Sequence, residues 1–183
     1  MQIVELGLKG AWIAHSPIHN DNRGYFREWF KAGDISNVTG QTFNVKQANV
    51  SYSNKGVLRG IHYSRAREGQ GKWITCVTGS IWDVVVDIRP ASPTYGKWVG
   101  SELSSKQGDS IFISEGLGHG FIALEDNTQI VYLLTSPYSP DQEFGINPLD
   151  PDLAINWPIQ NVLLSEKDAL APSLREQRKC GRL

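Results

Sequence analysis

Short runs of β-branched and aromatic residues, each closed by Gly, Pro, Asn or Asp, recur through most of this chain and favour a fold built from β-strands. The clearest stretch is Lys72 to Ile88, two such runs flanking Thr78-Gly79-Ser80, which reads as a hairpin with a tight turn. In its second arm, side-chain alternation puts Trp82, Val84, Val86 and Ile88 on one face and Asp83 and Asp87 on the other, as in a half-buried strand. Pro90 and Pro93 end it. Further strands are expected from Phe43 to Tyr52, Val57 to Tyr63, Trp98 to Leu103, Ser110 to Ile113, Gly120 to Leu124 and Gln129 to Thr135. Many short strands at this spacing predict a sandwich or barrel. Helix is expected from Lys31 to Val38, as a turn at Glu166 to Ala169, and in the charged tail from Ser173.

A length of 183 residues suits one well-packed domain, and no linker, repeat or low-complexity block divides it. The expected unit is therefore residues 1–183, with the tail from about 175 to 183 peripheral. A net charge of -1 provides no whole-molecule field to attract nucleic acid or a membrane surface. No apolar stretch approaches the roughly 20 residues that span a bilayer, so neither nucleic acid nor membrane is an expected partner. Cys76 and Cys180 match no metal or redox spacing, and Met1-Gln2-Ile3-Val4-Glu5 does not begin a secretory signal. The chain reads as cytoplasmic, with free thiols.

Several strand positions carry polar groups that simple amphipathicity does not require. In Gly56-Val57-Leu58-Arg59-Gly60-Ile61-His62, an arginine and a histidine interrupt an apolar run. Strict alternation puts Leu58, Gly60 and His62 on one face and Val57, Arg59 and Ile61 on the other, unless a bulge at Gly60 re-aims them. The segment Gln47-Ala48-Asn49-Val50-Ser51 presents three polar side chains on one face, which a solvated sheet explains equally well. Lys72 shares a face with Ile74 and Cys76, so its ammonium either points into a barrel mouth or snorkels outward. His119 lies within the glycine frame of Gly116-Leu117-Gly118-His119-Gly120-Phe121, and Tyr132 sits mid-strand, where a core tyrosine is the ordinary explanation.

Taken together these segments resemble one family. Asp21-Asn22-Arg23-Gly24-Tyr25-Phe26-Arg27-Glu28, Gln47-Ala48-Asn49, Gly56 to His62, Lys72, Gly116 to Phe121, Tyr132 and Leu164-Ser165-Glu166-Lys167-Asp168 occur in the order and spacing of the dTDP-4-dehydrorhamnose 3,5-epimerases. The resemblance covers roughly residues 1 to 175. It implies an all-β, cupin-type jelly-roll barrel with a few short peripheral helices, acting as a homodimer with strands exchanged, and without metal or other cofactor.

The resemblance also implies roles. The substrate would be a dTDP-linked 4-keto-6-deoxyhexose, whose ketone acidifies the protons at C3 and C5. His62 would be the base, Asp168 would orient its imidazole, Lys72 would stabilise the enolate, and Tyr132 would deliver a proton from the opposite side. His119 would help hold the sugar, Arg23 and Arg59 would bind the pyrophosphate, and Glu28 with Gln47, Ala48 and Asn49 would bind base and sugar. Tyr138 aligns with the aromatic that stacks on thymine, Phe26 would add a second wall, and Glu143 and Lys167 align with further substrate contacts. Part of the Arg23 to Glu28 segment is expected to reach the neighbouring subunit's pocket. Ser165-Glu166-Lys167-Asp168 also reads as a capping box opening a helical turn, an alternative role for Asp168.

The chain departs from the family's commoner residues in two places. Ser64 stands where many members have glutamine, shortening a potential sugar contact, and is followed by the loop Arg65-Ala66-Arg67-Glu68-Gly69-Gln70-Gly71. Glu115 and Leu117 replace the commoner proline and phenylalanine before His119. Inversion of both C3 and C5, or of C3 alone, is compatible with these changes. Two other classes are a metal-dependent cupin oxygenase and a non-catalytic sugar-nucleotide-binding module. The first needs about three histidines and a carboxylate on one ion, whereas only His62 and His119 fall in the expected barrel and His15 and His19 precede it. The second fits poorly with the joint presence of His62, Lys72, Tyr132 and Asp168.

Overall fold

The computed structural model describes residues 1–183. Along the chain come β1 (Gln2–Glu5), β2 (Ala11–His15), β3 (His19–Asp21), β4 (Gly24–Phe26), α1 (Ala32–Thr39), β5 (Gln47–Ser53), β6 (Leu58–Ser64), β7 (Lys72–Thr78), β8 (Ser80–Asp87) and β9 (Trp98–Ser104). They are followed by β10 (Ser110–Ile113), β11 (Leu117–Ala123), β12 (Thr128–Leu134), β13 (Glu143–Gly145), α2 (Glu166–Ala169) and α3 (Leu174–Lys179). One antiparallel sheet runs β1-β2-β10-β7-β12-β5 and the other β13-β6-β11-β8-β9, while β3 and β4 form a separate small ribbon. This is an all-β jelly roll of the cupin type, with short helices outside it.

Gly79 does not turn a hairpin, contrary to the expectation from the sequence. Strand β7 pairs with β10 and β12, whereas β8 pairs with β11 and β9, so the chain crosses from one sheet to the other at this corner. Both strands are buried along nearly their whole length. Each is interior to its own sheet, with a neighbour on either edge, and the long apolar runs reflect that position.

The alternation within β8 is as expected, but neither of its faces meets water. Val84, Val86 and Ile88 point out of the barrel, where Ile146, Leu153 and Leu174 of the C-terminal segment cover them. Ile81 and Val85 point inward, against Ile74, Cys76, Ile111 and Ile130 of the facing sheet. Asp83 and Asp87 share this inward face and are fully buried, so the predicted solvent face is the barrel interior. Asp87 is tied to Arg89, Ser92 and Thr94. Burial pushes its carboxyl up, but these partners outweigh that and hold it well below the usual carboxylate range. On the outer face of the first sheet, Trp12, Trp73 and Phe112 pack against Ile35 of α1 and Phe43.

The strand carrying His62 contains a bulge. His119 on β11 is opposite His62 and Phe121 is opposite Arg59, so β6 has one more residue than β11 between these pairs. Gly60 makes this possible: its φ is +128°, and a Cβ there would lie 2.5 Å from the Gly120 Cα. The terminal helix α3 closes the outer layer, with Leu174 buried and Gln177 Nε2 donating to the Gly145 carbonyl at 2.7 Å. Leu174→Ala should therefore lower unfolding free energy by about 2–4 kcal/mol. Urea denaturation checks this; a loss near zero would mean that the C-terminal layer does not support the sheet.

Candidate active site

The bulge turns Arg59 and His62 toward the same inner space, while Ile61 packs outward among Val84, Val86 and Ile88. Two adjoining hollows share His62, Lys72 and Tyr132. The outer one, about 210 Å³, is also lined by Gln47, Asn49, Gln70, Tyr138, Glu143 and Lys167. The deeper one, about 190 Å³, adds Ser51, Arg59, His119 and Phe121. A wider depression of about 580 Å³ near Phe43 and Phe112 has no histidine or tyrosine in its wall.

His62 Nε2 is 2.7 Å from Asp168 Oδ1. The carboxylate comes from α2, which lies outside the barrel and is capped by Ser165: the Asp168 N–H donates to Ser165 Oγ at 3.1 Å. The Asp168 side chain meets the imidazole while its backbone N–H serves the Ser165 cap, so the reciprocal half of the expected capping box is not formed. Burial pushes the Asp168 carboxyl up, but the hydrogen bond and charge of His62, with bonds from Ser165 and the Gly60 backbone, hold it below the ordinary value.

Lys72 opens β7 on the facing sheet and is buried, with Nζ donating to the His62 carbonyl at 3.4 Å. It points into the barrel instead of snorkelling outward. Burial lowers its pKa, opposed by the negative charges of Glu143 and Asp83. Tyr132, on β12, is directly opposite Asn49 of β5. Burial raises the phenol's pKa, against a hydrogen bond from Asn49 and the charge of Arg59, while Glu143 adds to the rise. An imidazole is thus on one sheet, and an amine and a phenol are on the other.

His119 Nε2 is 2.7 Å from Asp83 Oδ2, forming a second imidazole–carboxylate pair beside the first. The other Asp83 oxygen is buried without a hydrogen-bond partner, and its charge acts on Lys72. Gln47 accepts from the Tyr138 N–H at 2.8 Å and donates to Asn49 at 2.9 Å, ordering one wall. Arg59 is held by Ser53 Oγ at 3.1 Å and the Tyr52 carbonyl at 2.9 Å. No group of three or more His, Cys, Asp or Glu side chains comes together to hold a metal ion.

Some predicted residues lie elsewhere. Ala48 is on the outward face of β5. Arg23 is exposed and paired with Asp21, Phe26 is 65% exposed, and Glu28 pairs with Lys31 at 2.6 Å. None of these four lines the cavity of its own chain. Ser64 does not line it either, since its Oγ accepts from the Ala66 N–H at 3.2 Å. The walls also contain Gln70, Ser51 and the apolar Phe121, Ile130, Leu134 and Phe144, none of them expected as site residues, and behind His119 stands Asp83. Period-two counting back from Lys72 would have put Gln70 on the inner face, and Asp83 alternates with Ile81 and Val85, an apolar setting that marks burial.

The family model for dTDP-4-dehydrorhamnose 3,5-epimerase matches residues 5–176. A Mycolicibacterium smegmatis protein of that name is 44% identical over 178 residues, covering 97% of this chain and 88% of the relative. The structure of the Mycobacterium tuberculosis rmlC epimerase superposes with a TM-score of 0.97 at 43% identity, covering 100% of this chain and 93% of that one. The structure of ChmJ, a 3'-monoepimerase from Streptomyces bikiniensis in complex with dTDP-quinovose, gives 0.94 at 42% identity, covering 98% and 91%. The fold and site define a carbohydrate isomerase of the cupin type. The chain belongs to the dTDP-4-dehydrorhamnose 3,5-epimerase family.

The His62–Asp168 pair also has a consequence for stability. Because the folded Asp168 titrates below its free value of 3.8, its contribution is complete above that value and is lost as pH falls through the folded pKa. Urea midpoints followed from about pH 5 to about pH 2 should fall less steeply in Asp168→Asn than in the parent. Parallel curves would remove Asp168 as a source of the acid dependence.

Proposed function

We propose that this enzyme acts on dTDP-4-keto-6-deoxy-D-glucose, inverting C3 and C5 through an enolate to give dTDP-4-keto-L-rhamnose. The observation that carries this reading is one small cavity with an imidazole–carboxylate pair on one sheet facing a buried ammonium and phenol on the other. Epimerisation requires removal of a proton from one face and return of a proton to the other, and groups on facing sheets suit that requirement.

His62 takes the proton from C3 or C5, and Asp168 fixes the tautomer of its ring and stabilises the imidazolium formed. Each pK unit between the carbon acid and its base costs about 1.4 kcal/mol, so the developing enolate oxygen needs positive charge close by. Lys72 provides it from a site where low dielectric strengthens the interaction. Tyr132, kept protonated by burial, donates its own proton from the far side and is left as phenolate while His62 holds the proton it removed; exchange with solvent restores both groups before the next inversion. His119, oriented by Asp83, helps hold the sugar.

Arg59 and Lys167 are cations for the diphosphate, with Gln47, Asn49, Tyr138 and Glu143 for sugar and base. The remaining ligands, Arg23, Phe26, Glu28 and Ala48, act at the subunit boundary of a homodimer. Strand β5 ends its sheet with a free edge and presents exposed Val50 and Tyr52, surface suited to a second copy. The whole of residues 1–183 works as one domain with a peripheral tail, in the cytoplasm and without a metal, because Lys72 supplies the charge that a Lewis acid would otherwise supply. A second reading, inversion of C3 alone, is compatible with the departures at Ser64, Glu115 and Leu117 and draws its support from the similarity to the 3'-monoepimerase ChmJ.

Incubation with the 4-keto substrate in deuterated water should label both C3 and C5 by NMR. Label at C3 alone supports the second reading, and label at neither carbon sinks both. His62→Ala should abolish exchange at both positions while dTDP binding persists, and Tyr132→Phe should slow net inversion by about 10²–10⁴-fold with less effect on initial proton loss. In sedimentation equilibrium the parent should be a dimer and Val50→Glu a monomer of greatly reduced activity; a monomeric, fully active parent would refute the shared site.

A further inference from the structure

The two departures from the family's usual residues, the 64–71 segment and Glu115, lie far apart in sequence but form one unit in the fold. Ser64 turns into the loop, and the Gly69 N–H closes a turn on the Ala66 carbonyl at 2.8 Å. Gly69 has φ +74°, and a Cβ there would fall 1.5 Å from Glu115 Oε2, so the glutamate side chain rests directly on the loop backbone. The Gly71 N–H then donates to Thr135 Oγ1 at 2.7 Å, anchoring the other end. Between these anchors Gln70 is buried, its Nε2 donating to Glu143 Oε1 at 3.2 Å and to Ser136 Oγ at 3.3 Å. Glu143 is the direct β-sheet partner of Ser64, so the carboxamide borders the wall at the position where the serine side chain is short.

We propose that Gln70, held in place by Glu115, is a positioning residue that governs how completely the second centre, C5, is inverted. This rests on the epimerase reading above. The chemistry of the sugar explains why a wall residue has this effect. C3 carries a hydroxyl, whereas C5 carries a methyl group and the ring oxygen, leaving little polar surface by which to bring C5 to His62. Presentation of C5 therefore depends on gripping the hydroxyls on the opposite side of the ring. Glu143 is a charged acceptor for such a hydroxyl, and Gln70 fixes which way its carboxylate faces. Proton loss at C3 does not need that grip to the same degree.

The test uses the full chain and the 4-keto substrate in deuterated water, reading initial label at C3 and C5, with dTDP affinity by calorimetry. Gln70→Ala should lower the C5-to-C3 label ratio about tenfold, the effect of losing one hydrogen bond to a charged group, with dTDP affinity unchanged. Gln70→Glu, which sets two carboxylates together, should lower it at least as far. Glu115 is exposed, so Glu115→Ala gives a readout even if a Gln70 variant folds poorly, and it should shift the ratio in the same direction by a smaller factor. An unchanged ratio in variants of a parent that labels both carbons overturns this proposal and leaves the epimerase reading intact. Equal losses at both carbons with weakened dTDP binding also overturn it, since they indicate a merely structural role. A parent that labels C3 alone overturns it together with double inversion.

Discussion

One extra residue in β6 decides which way its polar side chains face. Without the bulge, alternation would send Arg59 and His62 to opposite sides of the sheet. With it, both look into the barrel and Ile61 takes the outward place in the core. Contact between Gly60 and Gly120 allows the bulge, since any side chain on the first would strike the backbone of the second. The remainder of the site is arranged around this strand: α2 brings Asp168 to His62 from outside, and Lys72 reaches the His62 carbonyl from the facing sheet.

Burying charges inside a small barrel is costly unless each has a partner, and the partners here are arranged in pairs. His62 has Asp168, His119 has Asp83, and Lys72 lies within the influence of Glu143 and Asp83. One Asp83 oxygen is left without a hydrogen bond. Such incompletely satisfied polar groups are unfavourable for folding and are typical of sites built to act on a ligand. The same low dielectric that makes them costly strengthens the attraction between Lys72 and a developing enolate.

Much of the fold was legible in local patterns. The runs at 98–103, 110–113 and 129–135 correspond to β9, β10 and β12 within a residue or two, and the helical turn at Glu166 to Ala169 lies where it was expected. The strands at 2–5, 11–15, 19–26 and 143–145 were not anticipated, because they are short or polar and owe their structure to the neighbours they pair with. The hairpin expected at Gly79 does not form, for a related reason: a tight turn between two apolar runs looks alike whether they pair with each other or enter different sheets. Only the partners of β7 and β8 distinguish the two cases.

The site divides in the same way. The sequence by itself determined the chemistry available, because His62, Lys72, Tyr132 and Asp168 are set by residue type, and it determined the β-rich character, because propensity and alternation are local. Tertiary structure decided which faces were inside. It buried Asp83, brought Gln70 to the wall in preference to Ser64, and joined Glu115 to a loop nearly fifty residues earlier in the chain. Burial and long-range packing depend on what covers each face, and that information is spread over the whole chain.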